Sequence, residues 1–250
     1  MRTKVRTPTA LAKGWTVRID GVPLPLSMRA SAPWFVRHRP GIAPANAVMR
    51  RIGYDGTMPT PTAFQLHVQH LTHGPIHNLS HAWPPGVSWV CGDEGTGKTT
   101  LLRVLAGEVT PNAGTVHTPD GGVFWVNLQD PAHDETTVQA CWDALRARYP
   151  QWREALQDEL SHALDMETHR HKRLFMLSTG SRRKVMVIAA LASGATVTLL
   201  DQPFGGLDLP SVRVIKEVLR EASTHASRAW IVADYTAPQD VPLASVLSLD

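Results

Sequence analysis

From Phe64 onward, apolar and polar residues follow the periods that are typical of strands and helices. The stretch FQLHVQHL, which starts at Phe64, alternates as an edge strand does, and five later apolar runs have the length of buried strands. These runs cover residues 87–91, 123–127, 195–200, 229–233 and 245–249. Helices are predicted over 101–106, over 137–176 with Pro150 dividing two helices, from Ser181 as an amphipathic helix, and over 211–222.

Strands that alternate with helices predict an α/β fold with a three-layer core. The strand from Phe64 adds an antiparallel β edge, and the long helical stretch predicts a helical subdomain at about 137–180. We therefore assign residues 61–250 to one domain. The 43% of hydrophobic residues is ordinary for a globular core, and no apolar run approaches the roughly 18 residues of a membrane-spanning helix.

Residues 1–60 have a different composition, rich in Pro, Arg and Ala and without a sustained period. Residues 1–57 hold ten Arg or Lys and two Asp, so they carry +8; the whole chain carries +3, and the remainder therefore carries −5. We predict a basic, disordered extension, with a membrane- or partner-binding arm, or a start of the protein at Met58, as alternatives. Because the net positive charge is confined to this segment, nucleic acid is not expected as a partner.

The segment GDEGTGKTT matches the G-x-x-x-x-G-K-[ST] phosphate-loop pattern, with a predicted strand before it and a predicted helix after it. Glycines let backbone N–H groups close around phosphate oxygens, and the N-terminus of the helix adds the positive end of its dipole. Lys98 is expected to reach the β- and γ-phosphates, and the Thr99 hydroxyl to ligate Mg²⁺. The candidate nucleotide-binding residues are Gly92, Asp93, Glu94, Gly95, Thr96, Gly97, Lys98, Thr99 and Thr100.

Asp201 follows the apolar run ATVTLL and is the second candidate for Mg²⁺. A carboxylate at the carboxyl end of a strand can hold this cation, here through a water molecule. A lone Asp at such a position is often only a helix cap, so the assignment depends on the phosphate loop upstream.

Five motifs in residues 64–250 resemble, in the same order, those of ATP-binding cassette (ABC) ATPases. The phosphate loop is similar to Walker A, and Gln129 resembles the Q-loop glutamine that contacts Mg²⁺ and the membrane partner. The remaining three are LSTGS at 177–181, which resembles the LSGGQ signature, LLDQP at 199–203, which resembles the Walker B segment LLDEP, and GGLD at 205–208, which resembles the D-loop. The signature is the most specific motif, because other phosphate-loop families lack it.

The resemblance implies an ABC-type P-loop NTPase fold, with ATP and Mg²⁺ as cofactors. In this family two cassettes enclose two ATP molecules, each bound by the phosphate loop of one chain and the signature of the other. The residues that would contact ATP held by a partner cassette are Ser178, Thr179 and Gly180. Asp208 is a further expected ATP contact, and Thr99, Gln129 and Asp201 are the expected metal ligands.

The partners that the resemblance implies are a second cassette, identical or different, and an integral membrane transporter subunit. The expected location is cytoplasmic, peripheral on the inner face of the cell membrane. The compact cassette and the segment DQPFGGLD also resemble, more weakly, the haem-exporter ATPase of cytochrome c maturation.

Two departures from the family pattern fall on catalytic positions. Gln202 stands where the family has a glutamate that polarises the attacking water. An amide can orient water but cannot accept its proton, and the loss of a positioned general base costs about 10²–10⁴ in rate. The switch histidine is replaced in the segment ADYTAP by Asp234 or Tyr235, and a carboxylate there would repel a γ-phosphate unless protonated. A slow ATPase is therefore expected.

Smaller departures affect adenine binding and the signature. The aromatic residue that stacks on adenine has no clear counterpart, and His70, His73 or Tyr54 are the nearest flat side chains. In the signature, Thr179 replaces a glycine and Ser181 replaces a glutamine.

Three functions remain open from the sequence. The first is the nucleotide-binding subunit of an ABC transporter. The second is an ATP-gated clamp that binds ATP but hardly cleaves it, or a degenerate half paired with an active cassette. The third, a soluble ABC protein of repair or translation, is disfavoured because such proteins usually carry two linked cassettes or a long coiled-coil insertion.

The cysteines and histidines indicate no further chemistry. Cys91 and Cys141 cannot form a disulfide framework and fit a reducing compartment, with Cys91 expected as a small core residue. The histidines match no standard zinc spacing and are expected to be surface or half-buried side chains; the most closely spaced ones are His67, His70, His73, His77, His81, His169 and His171.

Overall fold

The computed structural model describes residues 18–19, 22–23 and 64–250. The chain divides into two units, Met1–Gly53 and Tyr54–Asp250. In the first unit, strands β1 (Arg18–Ile19) and β2 (Val22–Pro23) pair antiparallel. Apart from these four residues, the predicted extension over 1–60 lies outside the described residues, as does Tyr54.

A three-stranded antiparallel sheet is the first part of the second unit. Its strands are β3 (Leu66–His73), β4 (Ile76–Trp83) and β6 (Ala113–His117), in the order β4-β3-β6. Leu66, Val68 and Leu71 of β3 are buried, so the strand predicted from Phe64 is confirmed, although it lies in the middle of its sheet rather than at an edge. Strands β4 and β6 were not predicted, because polar residues, including histidines, interrupt the alternation of apolar positions in them.

A five-stranded parallel sheet forms the second layer of strands. It contains β5 (Gly86–Cys91), β7 (Val123–Phe124), β8 (Val197–Asp201), β9 (Ala229–Ala233) and β10 (Ser245–Ser248), in the order β10-β5-β9-β8-β7. All five residues of β9 are buried, as expected for a parallel strand that is covered on both faces. The predicted α/β architecture is therefore confirmed.

Five α-helices connect and cover the strands. They are α1 (Lys98–Leu105), α2 (Val138–Arg148), α3 (Glu154–Ala163), α4 (Thr179–Ala192) and α5 (Leu209–Ala222) among the described residues. Helix α1 ends shortly before Gly107, which has a φ of 74°, and the Asp208 side chain caps α5 by accepting a hydrogen bond from the N–H of Ser211. The helices that were predicted over 101–106 and 211–222 are thus present, each with a slightly earlier start.

The region 137–176 is less helical than predicted. Helices α2 and α3 are divided at Pro150 as expected, but residues 164–176 contain only two short 3₁₀ turns, Glu167–His169 and Leu174–Met176. The break follows Leu164, because Asp165 has a φ of 55°, a left-handed conformation that ends a helix. The domain boundaries, including a helical subdomain at about 137–180, stay a prediction.

Two further elements differ from their predictions. The strand expected over 123–127 contains only Val123 and Phe124, because the chain then turns: the carbonyl of Asn127 accepts from the Asp130 N–H and its side chain accepts from the Gln129 N–H. Helix α4 is not amphipathic in its second half, since all residues from 185 to 192 are buried. Such a segment has neighbours on every side.

The described residues include no helix that is long and apolar enough to cross a membrane. Both cysteines are free. Cys91 ends β5 as predicted but is only half-buried, whereas Cys141 is buried on α2 and its burial raises the pKa of its thiol to about 11.

Glu221 is a carboxylate buried on α5, and no hydrogen-bond donor of the described residues reaches either of its oxygens. Burial, and to a smaller extent the charge of Glu217, raise the pKa of Glu221 from 4.5 to about 7. Between these two pKa values the folded state binds more protons than the unfolded state. The free energy of unfolding therefore falls as the pH rises through this window.

Replacing Glu221 by Gln should remove this loss. We expect Glu221→Gln to raise Tm by a few degrees at pH 8 and to change it little at pH 5, where the native glutamate is protonated and resembles the amide. Thermal unfolding at both pH values measures the difference. The control is Glu135→Gln, at a side chain that is 76% exposed; an equal shift of Tm in both variants at pH 8 would contradict the assignment.

Candidate functional site

The phosphate loop, Gly92–Thr99, joins the end of β5 to the start of α1. Gly92, Gly95 and Gly97 have φ values of 149°, 84° and 103°, which a residue with a side chain rarely adopts. A Cβ on Gly97 would lie 2.9 Å from Cγ of Pro75, in the turn between β3 and β4, whereas a Cβ on Gly95 would meet nothing within 4 Å. The loop is thus packed on one side and open at Gly95, where a phosphate can approach its backbone.

Lys98 is buried and its ammonium lies over the loop. Nζ donates to the carbonyls of Gly92 and Asp93, at 2.5 and 2.6 Å, and it lies 4.9 Å from the centre of the Tyr235 ring. The Thr96 hydroxyl closes the same turn by donating to the Asp93 carbonyl at 2.9 Å. The positive charge is therefore held at the mouth of the loop by neutral carbonyls, which a phosphate oxygen can replace as a stronger acceptor.

Thr99 and Asp201 are brought together across 102 residues of chain. The Thr99 hydroxyl donates to Oδ2 of Asp201 at 2.6 Å, and Oδ1 of Asp201 is buried with no hydrogen-bond partner among the described residues. Burial raises the pKa of the Asp201 carboxyl, while the Thr99 hydrogen bond and the charge of Lys98 lower it. A hydroxyl and an unsatisfied carboxylate oxygen at one point are oxygen donors that suit Mg²⁺.

Gln129 lines the same cavity as Thr99 and Asp201. Its amide donates to the Thr179 carbonyl over a long 3.5 Å, and it lines a cavity of about 270 Å³. We call this the metal-side cavity. Its lining residues are Thr99, Trp125, Val126, Asn127, Leu128, Gln129, Arg182, Arg183, Met186, Asp201 and Gln202. All three expected metal ligands therefore border one cavity, which is small beside the roughly 300–1,000 Å³ of whole-ligand pockets.

Gln202 begins a strained turn directly after β8. Its φ is 43°, a left-handed value that costs a residue with a side chain about 1–2 kcal/mol. The turn is held by hydrogen bonds from the Gln202 N–H to the Ala233 carbonyl at 2.8 Å and from the Gly205 N–H to the Gln202 carbonyl at 3.3 Å. The Phe204 ring stacks on Trp89, with 6.1 Å between the ring centres. These contacts hold the backbone of Gln202, which lines the metal-side cavity.

Asp234 follows β9 and lies beside the same carboxylate. Its backbone N–H donates to the Val90 carbonyl at 3.1 Å, and its side chain accepts from the Tyr235 N–H at 2.8 Å. The negative charge of Asp234 raises the pKa of Asp201, so the two carboxylates repel each other. Tyr235, the alternative switch residue, has its ring half-exposed over Lys98.

The signature loop, Leu177–Ser181, opens α4. The Ser178 hydroxyl caps the helix by accepting from the Ser181 N–H at 3.1 Å, and both Ser178 and Thr179 are exposed. Gly180 is buried instead, because a Cβ at this position would lie 2.1 Å from the carbonyl oxygen of Gly206. Two of the three predicted signature contacts are therefore open to a partner, and the third is covered within its own chain.

The D-loop, Gly205–Asp208, packs along α4. Asp208 caps α5 through the Ser211 N–H at 2.8 Å and pairs with Lys184 of α4 at 2.9 Å. The hydrogen bonds from Ser211, followed by Lys184, hold the pKa of Asp208 well below its usual range. In this structure the carboxylate of Asp208 thus caps α5 and forms an ion pair with α4.

Two residues near the site were not foreseen from the sequence. Arg183 donates from Nη1 to the Gly205 carbonyl at 2.6 Å and lines the metal-side cavity, and Lys184 bonds the D-loop. Their i+3 and i+4 spacing from Gly180 places them on the same face of α4. The run SRRK shows this spacing in the sequence. The sequence does not show that the D-loop packs against this face of α4, so the function of the two cations could not be predicted.

The histidines near the site, including the two described candidate adenine contacts, lie on or beside the three-stranded sheet. His70 Nδ1 lies 2.9 Å from Oδ1 of Asn78, and His73 ends β3 next to the turn that packs on Gly97. His67 stacks on His117 with 4.5 Å between ring centres. Among the described residues no three His, Cys, Asp or Glu side chains converge as a metal-binding group.

Comparison with known proteins identifies the family. A family model described as ABC transporter matches residues 76–205, which is more than half of the chain. The chain belongs to the ABC transporter family. The matched residues include the phosphate loop, Gln129, the signature loop and Asp201, so the resemblance that was inferred from five motifs is confirmed.

Relatives of this ABC protein include ATP-binding proteins that are named for import and for export. The taurine import ATP-binding protein TauB of Pseudomonas syringae pv. tomato is 30% identical over 63% of this chain. The cytochrome c biogenesis ATP-binding export protein CcmA of Rhodobacter capsulatus is 31% identical over 64% of this chain and 71% of its own length. The match spans 64% of the length of TauB. The expected similarity to the cytochrome c maturation ATPase is confirmed.

Solved structures of ABC cassettes share the fold. A Pyrococcus furiosus protein described as an ABC transporter ATP-binding protein superposes with a TM-score of 0.59 at 21% identity, over 74% of this chain and 97% of its own. An ATP-binding cassette in its ADP conformation gives a TM-score of 0.53 at 16% identity, over 71% of this chain and 83% of its own. These likenesses establish the ABC-type P-loop fold that was predicted.

The contact between Gly180 and Gly206 can be tested by adding one methyl group. Helix propensity alone would make Gly180→Ala stabilising by about 1 kcal/mol. The Cβ would lie 2.1 Å from the Gly206 carbonyl oxygen, so we expect a lower Tm instead, by several degrees. The matched control is Thr179→Ala, at an exposed neighbouring position, which should change Tm little. A Tm that rises in Gly180→Ala would show that the D-loop does not pack here.

Proposed function

We propose that this protein is the ATP-binding subunit of an ABC transporter, binding Mg²⁺-ATP and coupling its binding and slow hydrolysis to a membrane partner. One observation carries the proposal: the phosphate-loop hydroxyl of Thr99 and the strand-end carboxylate of Asp201 meet at 2.6 Å, beside the buried Lys98. A glycine turn without a nucleotide-binding function would not require these three groups to lie together. Their charges and oxygens match a phosphate chain and its cation.

In the proposed complex the phosphates bind to backbone N–H groups of the phosphate loop and to the N-terminus of α1. The residues of this site are Gly92, Asp93, Glu94, Gly95, Thr96, Gly97, Lys98, Thr99 and Thr100. Lys98 exchanges its two carbonyl partners for phosphate oxygens. Thr99, Asp201 and Gln129 hold Mg²⁺, which screens the negative charge of the phosphates.

The exposed hydroxyls of Ser178 and Thr179 are the proposed contacts to ATP bound by a second cassette, identical or different. They stand at the N-terminus of α4, where N–H groups and the helix dipole favour an anion. Gly180, which is buried under Gly206, keeps the D-loop against the signature loop. Asp208, which bonds Lys184 and Ser211, is proposed to reach the interface with that second cassette.

A second candidate function is supported by Gln202 and Asp234. The amide of Gln202 stands at the wall of the metal-side cavity and cannot accept a proton, and Asp234 adds a negative charge where phosphate would bind. Both changes disfavour cleavage more than binding. The protein could then serve as an ATP-gated clamp, or as the degenerate half of a pair whose other cassette hydrolyses ATP.

The membrane partner and the location follow from the family alone. TauB is named as an import protein and CcmA as an export protein, at nearly equal identity to this chain. We therefore propose that the protein docks on an integral membrane transporter subunit at the inner face of the cell membrane. The proposal covers ABC transport in general and names no cargo.

Lys98→Ala tests nucleotide binding. Because Lys98 is the only side-chain cation of the proposed phosphate site within the phosphate loop, its loss should abolish ATP binding, measured by isothermal titration calorimetry with Mg²⁺-ATP. The control is Lys216→Ala, which removes a lysine of α5 that pairs with Asp240 and should leave the affinity unchanged. Micromolar ATP affinity retained in Lys98→Ala would overturn the assignment of the phosphate loop.

Gln202→Glu separates the two candidate functions. A carboxylate at this position supplies a general base, so single-turnover ATP cleavage should accelerate by roughly 10²–10⁴. Gln65→Glu, an exposed position before β3, is the matched control. An unchanged rate would show that Gln202 does not occupy the base position, and a native rate near 1 s⁻¹ or above, typical of enzymes, would exclude the clamp.

A further inference from the structure

Two arginines of α4 line the metal-side cavity, and they differ in how they are bound. Arg182 uses all three of its guanidinium nitrogens: Nε donates to the Leu174 carbonyl at 2.8 Å, Nη1 to the Leu128 carbonyl at 3.2 Å, and Nη2 to Asp134 at 2.6 Å. Its side chain thus ties the segments around it together. Each nitrogen of this guanidinium is thus held by one acceptor of its own chain, and its charge is paired with Asp134.

Arg183 has spare donors. Its hydrogen bond within residues 64–250 runs from Nη1 to the Gly205 carbonyl, at 2.6 Å. No Asp or Glu of that range lies within ion-pair distance of it. The guanidinium lies flat over Gly205, where a Cβ would come within 2.9 Å of Cζ and 3.0 Å of Nη2. A half-buried cation without a carboxylate partner therefore borders the cavity that Thr99 and Asp201 also line.

The charges around Asp201 show what this cation balances. Asp234 raises the pKa of the Asp201 carboxyl through its negative charge, whereas Lys98 and Arg183 lower that pKa through their positive charges. Asp234 and Arg183 therefore act in opposite senses at one point. A triphosphate arriving there would be repelled by Asp234. Without Arg183, only Lys98 and the Mg²⁺ of the proposed site would offset that repulsion and the charge of the γ-phosphate.

Arg183 is also placed to fix Gln202. The Gly205 N–H donates to the Gln202 carbonyl, and the Gly205 carbonyl accepts from Arg183. The strained turn from Gln202 to Gly205 is thus held through both backbone polar groups of Gly205. A Cβ at position 205 would lie 2.9 Å from Cζ of Arg183, so a larger residue there would displace the guanidinium from its present position.

We propose that Arg183 binds the terminal phosphate of ATP held in its own chain, offsetting Asp234. It keeps Nη1 on the Gly205 carbonyl and directs its remaining N–H donors into the metal-side cavity, towards the γ-phosphate oxygens. The ligand chemistry is the dianionic end group of a nucleoside triphosphate, so a nucleoside diphosphate does not reach Arg183. This inference rests on the ATP site proposed above and adds the residue that selects the triphosphate.

The experiment compares Arg183→Gln with the native chain by isothermal titration calorimetry. The probes are Mg²⁺-ADP and the non-hydrolysable β,γ-imido analogue of ATP. Removal of a charge-assisted hydrogen bond should weaken binding of the triphosphate analogue roughly tenfold and change ADP affinity less than about twofold. Arg183→Lys, which keeps the charge but not the planar fork, should lose less. Sedimentation at the titration concentration confirms that all proteins are compared in the same oligomeric state.

A second variant distinguishes charge balance from a merely structural role. Asp234→Asn in the Arg183→Gln background should recover most of the lost analogue affinity, since the repulsion that Arg183 offsets is then gone. The matched control is Arg213→Gln on the exposed face of α5, with the same change of net charge and no expected effect. Thermal unfolding checks that each variant is folded.

Equal losses for ADP and the analogue, no loss for either, or no recovery with Asp234→Asn would each overturn the inference while leaving the ATP site intact. The same loss in Arg213→Gln would overturn it as a non-specific effect of charge. Failure of the native chain to bind either nucleotide would instead overturn the proposed function, and this inference with it.

Discussion

The hydrogen bond from Thr99 to Asp201 joins the two halves of the site, and the strand order makes it possible. In the order β5-β9-β8 the carboxyl ends of three parallel strands meet at one edge of the sheet. The phosphate loop follows β5, Asp234 follows β9, and Gln202 follows β8, so three distant segments arrive at one place. Because β9 lies between β5 and β8, a change that disturbs its pairing would separate Thr99 from Asp201 without altering either side chain.

Helix α4 couples this edge to the signature loop. Its residues 180, 183 and 184 contact the D-loop at Gly206, Gly205 and Asp208 respectively. These positions share one face of the helix, so the D-loop lies along it over a full turn. The exposed hydroxyls of Ser178 and Thr179 begin the same helix. The signature loop is therefore joined to the turn that holds Gln202 by one backbone contact, Gly180 on Gly206, and by the side chains of Arg183 and Lys184.

The fold and the contiguous motifs could be predicted from the sequence, but the contacts between segments could not. The phosphate loop is recognisable from the spacing of its glycines, and Asp201 from the apolar strand before it. Both signals are local in the sequence. Strands β4 and β6 carry histidines and other polar residues on an exposed face, so they lack the period that reveals a strand. Helix α4 appeared amphipathic because Arg182, Arg183 and Lys184 precede its apolar half, yet these cations face the cavity and the D-loop rather than bulk solvent. Only the tertiary fold gives Arg183 a role, since nothing within its own helix requires it.

The substitutions around Asp201 redistribute charge without abolishing the site. The family resemblance leads one to expect a glutamate as general base at position 202 and a histidine at position 234. Gln202 would remove that base with its negative charge, and Asp234 would add a negative charge. Lys98 and Arg183 supply two positive charges against Asp201 and Asp234, so the cavity remains suited to an anion with its cation. In the proposed ATP site, phosphate binding depends mainly on backbone N–H groups and on this charge balance. Proton abstraction would depend on a carboxylate at position 202, where this chain has Gln202. Under that proposal binding and cleavage rest on different parts of the same site, and Gln202 alters the part on which cleavage depends.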